Sequence, residues 1–265
     1  MRRDFWELIQ FFPISRFLER ALCFLQNRFK NIFFDEIGVR VRKFFLLEEV
    51  LRRVSAAASH KINKKYVQWA CSAMGKAFSI VERSHVEAKK FFGPRAIDCA
   101  VDATLGGGGD ALFLASLLSE GGRIFGFDVQ EEAVARSRAL FEKNGILEKC
   151  TLFCSGHENM LELIPQKYRG RVGCLFFNLG WLPRSDKACV TKPETTVAAL
   201  EAAVGLIDKS FGYLSIASYR GHAGGEEECE AVRKFFSKIK NARTEEMASS
   251  DDPKSPVLFT AKFVI

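Results

Sequence analysis

The chain is predicted to fold as an α/β protein, an open and mostly parallel sheet with helices on both faces, preceded by an N-terminal helical extension. Three observations carry this expectation. Short apolar runs alternate with helix-like segments over residues 99–219, four consecutive glycines (Gly106, Gly107, Gly108, Gly109) follow the first run, and acids close the first two runs at Asp102 and Asp128. Strand, glycine turn, helix, strand, acid is the layout of a nucleotide-binding α/β half. Glycines let the backbone approach a ligand, and the second acid can accept hydrogen bonds from ribose hydroxyls.

Taken in order, residues 99–103 form the first strand and residues 111–118 the helix after the glycine turn. Residues 124–127 form the second strand, 150–154 the third, 172–177 the fourth and 213–219 the fifth. A helix begins near Glu226, where Gly224 and Gly225 precede three glutamates, because acids favour the positive end of a helix. The runs 243–247 and 257–265, joined by a turn rich in Ser, Asp and Pro, complete the sheet as a hairpin.

Three nucleotide classes compete for the glycine turn. A Walker-type phosphate loop needs Gly-Lys-Ser/Thr, and none follows Gly109. A dinucleotide site places a pyrophosphate at the helix N-terminus, where Asp110 would oppose it. The alternative spacing, Asp102-x-Thr104-x-Gly106-x-Gly108, suits S-adenosylmethionine. Asp102 and Asp110 can neutralise its ammonium and sulfonium, while glycine N–H groups can hold its carboxylate. Asp128 serves the ribose, with Gln130 two residues beyond it grouped in the same site. Ser155 and His157, just past the third strand, are candidates for the adenine end. For His157 a surface or capping role is the alternative.

The fourth strand runs into Asn178-Leu179-Gly180-Trp181-Leu182-Pro183. Open α/β sheets bind ligands at the carboxyl ends of their strands, so Asn178 would face the methyl donor. Asn-apolar-x-aromatic is similar to the Asn-Pro-Pro-Tyr tetrad of amino-directed methyltransferases. The Asn178 side-chain oxygen and the Leu179 carbonyl can each accept an N–H bond and orient a nitrogen nucleophile, and Trp181 can stack on the base that carries it. The alternative is a loop in which Asn caps a turn and Trp packs in the core.

Several separate blocks agree in order with a known family. They are Ser155-Gly156-His157-Glu158-Asn159, the segment from Asn178 to Pro183, Ser185-Asp186-Lys187, Val190 to Thr196, Ala198 to Glu201, and Tyr219 to Glu228. Over about residues 76–265 the chain resembles the YtqB-type methyltransferases, formerly labelled rRNA methylases. The resemblance implies a Rossmann-like class I methyltransferase fold with seven strands in the order 3-2-1-4-5-7-6, S-adenosyl-L-methionine as donor and tRNA as substrate. It also implies methylation of the exocyclic amine of 5-aminomethyl-(2-thio)uridine at the wobble position, giving the 5-methylaminomethyl form. Trp181 stands where the family has tyrosine, and Arg184 and Ser185 replace a glycine pair. The four-glycine turn is similar to that of rRNA cytosine-N4 methyltransferases, which keeps an rRNA base as an alternative target. A small-molecule methyltransferase and a non-enzymatic RNA-binding protein retaining the fold are further alternatives.

The loop 184–196 carries Arg184, Asp186, Lys187, Lys192 and Glu194. Arg184, Lys187 and Lys192 could meet phosphates near the anticodon or form a solvated charged face. An alkylammonium must lose a proton before it attacks, and Asp186 and His222 are the candidate acceptors. His222 could instead cap the helix that follows it.

Eight cysteines without a Cys-x-x-Cys pair and only four histidines suggest neither a metal site nor a disulfide framework, and reduced cysteines fit a cytoplasmic protein. The net charge of +7 is uneven. Residues 1–66 hold 14 Lys/Arg against 7 Asp/Glu, and the remaining 199 hold 25 of each. Residues 1–66 are expected to form basic, apolar-rich amphipathic helices, and residues 67–265 the methyltransferase domain. The extension is read as an RNA-contacting arm, an element packed on the catalytic domain or a partner, or else a membrane-surface helix or upstream sequence with no fold of its own. It has no uncharged run approaching about 18 residues, so no span is expected, and Asp4 and Glu7 argue against a signal peptide. A homodimer is compatible with this reading.

Overall fold

A Ser-x-x-Glu pair opens the first described helix. Ser79 accepts the Glu82 N–H and the Glu82 carboxylate reaches back to the Ser79 N–H, so two otherwise unpaired donors are satisfied reciprocally. This helix, α1 (Ile80–Phe92), ends at Gly93, whose φ of 56° suits glycine, with Lys89 and Lys90 in its last turn. The computed structural model describes residues 79–180, 190–250 and 252–264. The expected helices of residues 1–66 lie outside these, as do Trp181, Arg184, Ser185, Asp186 and Lys187.

Strand β1 (Ile97–Asp102) leads through the glycine turn into α2 (Gly109–Ala115), and β2 (Leu118–Asp128) follows almost directly. The helix is shorter than the sequence suggested and the strand longer, because Leu118 already pairs with Ile97 before the register shifts near Cys99. Then come α3 (Glu131–Lys143), β3 (Cys150–Cys154), α4 (Met160–Leu163), β4 (Cys174–Asn178), α5 (Pro193–Leu206), β5 (Phe211–Ser218), α6 (Gly225–Phe236), β6 (Arg243–Ala248) and β7 (Val257–Val264). Proline opens α5, where its missing N–H costs nothing.

The sheet order is β3-β2-β1-β4-β5-β7-β6, with β7 antiparallel to both its neighbours. Residues of β4 alternate between two apolar layers, as a strand covered on both faces requires. Leu175 and Phe177 pack into the layer beneath α5 and α6, while Cys174 and Phe176 face Phe92, Leu114 and Phe141 of α1–α3. Full burial of each such Phe contributes about 1.5–3 kcal/mol. The strand order reverses between β1 and β4, and the crevice at the carboxyl ends of such strands is where open α/β sheets take ligands. Among the described residues, no helix is long and apolar enough to cross a membrane.

Candidate active site

At the reversal the two strand ends are tied together. The Asn178 N–H donates to the Thr104 hydroxyl at 2.6 Å, extending the β1–β4 ladder through a side chain. Asp102 lies below this junction with no exposed surface; its oxygens accept the N–H groups of Thr104 (3.2 Å) and Ala111 (3.0 Å). Burial, then the nearby Asp110 charge, push its carboxyl well above the usual carboxylate range. Asp102 therefore braces the glycine turn, and it does not reach the wall of the cavity where a ligand would sit. Gly108 is also absent from that wall. It caps α2 with φ 80°, and a Cβ there would lie 2.8 Å from the Phe141 ring.

The cavity has a volume of about 630 Å³ and opens along the carboxyl ends of β1, β2 and β4. Its wall brings together Thr104, Gly106, Asp110, Asp128, Gln130, Ser155, His157, Asn178, Leu179, Lys192 and His222. Asp128 accepts the Gly106 N–H (2.8 Å) and the Gln130 N–H (2.9 Å), which fixes its carboxylate at the end of β2. His157 is buried beside Phe177, ring centroids 5.6 Å apart, and burial holds its imidazole below its ordinary value, against the opposing pull of the Glu158 charge. Ser155 donates its N–H to the Asp128 carbonyl and stands beside it. Lys192 caps the N-terminus of α5 and is exposed at the rim. His222 precedes α6, and its carbonyl accepts the Gly225 N–H. Trp181 and Asp186 lie outside the described residues.

The centre of the site is a hydrogen-bonded chain. Asn178 Nδ2 donates to Asp110 Oδ2, and Asp110 Oδ1 lies 2.5 Å from His85 Nε2. Asn178 Oδ1 is buried without a hydrogen-bond partner. The site thus combines a buried, unpaired acceptor oxygen on Asn178 at the end of β4, a fixed carboxylate at the end of β2, and open space at Gly107 and Gly109, where an added Cβ would meet nothing within 4 Å. These features fit S-adenosylmethionine, with Asp128 placed for its ribose and the glycine turn for its amino-acid end.

Sequence reasoning missed three residues. His85 sits in α1, 25 positions from Asp110, and no local pattern links them. Tyr219 lines the cavity, and its phenol is pushed up to about 12 by burial and by the Asp110 charge. Glu228 was read as a helix-start acid, yet it is buried. It accepts the hydroxyls of Thr191 (2.8 Å) and Thr196 (2.6 Å), and Thr191 in turn accepts the Gly180 N–H. Among the described residues no cluster of three His, Cys, Asp or Glu side chains could hold a metal ion.

A seven-stranded sheet of this order, with a glycine turn after β1, an acid ending β2 and an asparagine ending β4, defines a class I S-adenosylmethionine-dependent methyltransferase. Within that class the chain belongs to the family described as "Putative rRNA methylase", which matches residues 124–261. A solved structure from Clostridium thermocellum with the same rRNA-methylase description is 32% identical, with a TM-score of 0.62, over 71% of this chain and 98% of that one. A Streptococcus mutans protein solved in complex with SAH is 25% identical, with a TM-score of 0.59, over 70% of this chain and 98% of that one. S-adenosylmethionine is the cofactor of this class. An Arabidopsis thaliana protein named "tRNA (mnm(5)s(2)U34)-methyltransferase, chloroplastic" is 36% identical over 148 residues, 53% of each chain. The chain thus spans about half the length of that curated relative.

Proposed function

We propose that the chain methylates the exocyclic amine of 5-aminomethyl-(2-thio)uridine at the wobble position of tRNA, giving the 5-methylaminomethyl nucleoside. The observation that carries this reading is the buried, unpartnered Oδ1 of Asn178, a residue that lines the cavity. A buried acceptor without a donor is costly, and an incoming amine supplies the missing N–H. The Leu179 carbonyl is the second acceptor expected for the same nitrogen, so two contacts fix the direction of its lone pair. When bound, S-adenosylmethionine supplies a sulfonium methyl group to that lone pair. The relative whose name specifies mnm(5)s(2)U34 of tRNA supports the choice of substrate.

The remaining roles follow from position. Asp128 holds the ribose, Ser155 and His157 border the adenine, and Thr104, Gly106 and Asp110 face the methionine end. Trp181 is assigned stacking on the substrate base, and Asp186 or His222 removal of the ammonium proton. Lys192, with Arg184, Lys187 and residues 1–66, is assigned to tRNA phosphates. Reduced cysteines suit the cytoplasm, and equally another reducing compartment such as the chloroplast of the plant relative.

The test is incubation with labelled donor and tRNA lacking the final methyl group, followed by nucleoside analysis. Methylaminomethyl-uridine is the expected product. Asn178→Ala is expected to cut its formation by about 100-fold while leaving SAH affinity within about threefold. Label appearing only in rRNA, or full activity of Asn178→Ala, overturns the reading.

A further inference from the structure

An amide at the end of β4 serves an amine in one of its two orientations only. With Oδ1 toward the cavity it accepts an amine N–H. Turned over, its NH₂ would oppose the amine's own donors and would bind the lone pair that has to attack. The two orientations have nearly the same shape, so the neighbours decide between them. The deciding neighbour here is Asp110. A carboxylate only accepts, so Nδ2 faces it and Oδ1 is left without a partner at the end of β4.

Asp110 is itself held from behind. His85 in α1 has no exposed surface, and its ring stacks on Phe113 with centroids 4.0 Å apart and planes 5° from parallel. Its Nε2 lies 2.5 Å from Asp110 Oδ1, and its Nδ1 has no hydrogen-bond partner. Facing an acceptor on one side and nothing on the other, the imidazole carries its proton on Nε2 and donates it to Asp110.

We infer that His85 is a positioning residue, which fixes Asp110 and through it turns the Asn178 amide oxygen toward the methyl-accepting nitrogen. The inference rests on the amine reading of the cavity, and it extends the site to α1, a helix outside the matched residues 124–261.

Two variants of the full chain test it. His85→Phe keeps the stack on Phe113 and removes the donor. His85→Gln returns an N–H near the place of Nε2. With tRNA carrying the free amine, His85→Phe is expected to lower kcat by about 100-fold. KM for tRNA should stay within about threefold, SAH affinity should fall by less than kcat because Asp110 also faces the methionine end, and His85→Gln should recover most of both. A second readout needs no substrate. In protein labelled at asparagine, the side-chain amide resonances of Asn178, identified by their loss in Asn178→Ala, should move in His85→Phe and return in His85→Gln. Wild-type kcat together with unmoved resonances in His85→Phe overturns the inference. So does a loss in His85→Phe that His85→Gln does not repair, since that marks a role in packing. If His85→Phe does not fold, Asp110→Asn replaces it, and unmoved Asn178 resonances there overturn the inference in the same way. If the wild type leaves the amine unmethylated, the substrate reading fails, and the resonances alone decide the positioning role.

Discussion

His157 shows how burial turns a residue expected at the adenine border into a pH-sensitive part of the fold. Its imidazole lies among Phe177 and the ends of β1 and β2, and its proton affinity falls below the ordinary value of 6.5 because a charged ring there loses water. The unfolded chain protonates this ring at a higher pH than the folded chain does. Between the two values the unfolded state binds more protons, so stability rises with pH. The contribution is complete above 6.5 and is lost as pH falls through the folded value. In urea titrations between about pH 7 and about pH 5, the wild type should therefore lose more stability than His157→Gln. Parallel losses would show that the ring is hydrated in the folded protein. Other residues of the site differ in how far the sequence exposes them. Asp128 and Asn178 are legible because each ends an apolar run, and a strand end is where an open sheet presents its ligands. His85 is not legible: its partner is 25 positions away, and the contact exists only once α1 packs over α2 and β4.

The turn between β1 and α2 raises a different question, because four adjacent glycines have unequal reasons to be glycine. Gly108 needs to be one: its φ is 80°, and a Cβ would stand 2.8 Å from Phe141 and 2.9 Å from Ser137 Oγ. Gly107 has neither constraint, with nothing within 4 Å of an added Cβ. Gly108→Ala combines left-handed backbone strain with overpacking and is expected to cost about 2–5 kcal/mol. Gly107→Ala should stay within about 0.5 kcal/mol. Equal unfolding midpoints for the two variants would contradict this account of the turn. The sequence identified the turn but could not rank its glycines, since the ranking comes from α3 packing against it. The same dependence on tertiary contact explains the early start of β2. Leu118 reads as the end of a helix locally, but pairing with Ile97 draws it into the sheet. The alternation of strands and helices, by contrast, made a doubly wound sheet legible, while its particular order was expected from the family resemblance, since other orders satisfy the same alternation.

Charge is distributed over the whole molecule in a way that bears on how a polyanion would reach the cavity. Residues 67–265 balance to zero, and acids stand along the cavity wall at Asp110 and Asp128. A neutral body with acids at its centre offers tRNA little long-range attraction. The excess of +7 in residues 1–66 is the largest attractive charge in the chain, and counterion release follows if, as proposed, these residues meet tRNA phosphates. Affinity for tRNA should accordingly fall steeply with salt. Each phosphate that residues 1–66 neutralise adds about 0.7–0.9 to the slope of log affinity against log salt, depending on whether it lies in single strand or duplex. Removing residues 1–66 should flatten that slope while leaving SAH affinity of the remaining chain unchanged, because the donor-binding wall starts at α1 and β1. A slope equal to that of the full chain would assign the basic segment to something other than RNA and leave phosphate contact to Lys192 and the loop that precedes it. Loss of SAH affinity would show instead that the body needs the segment in order to fold.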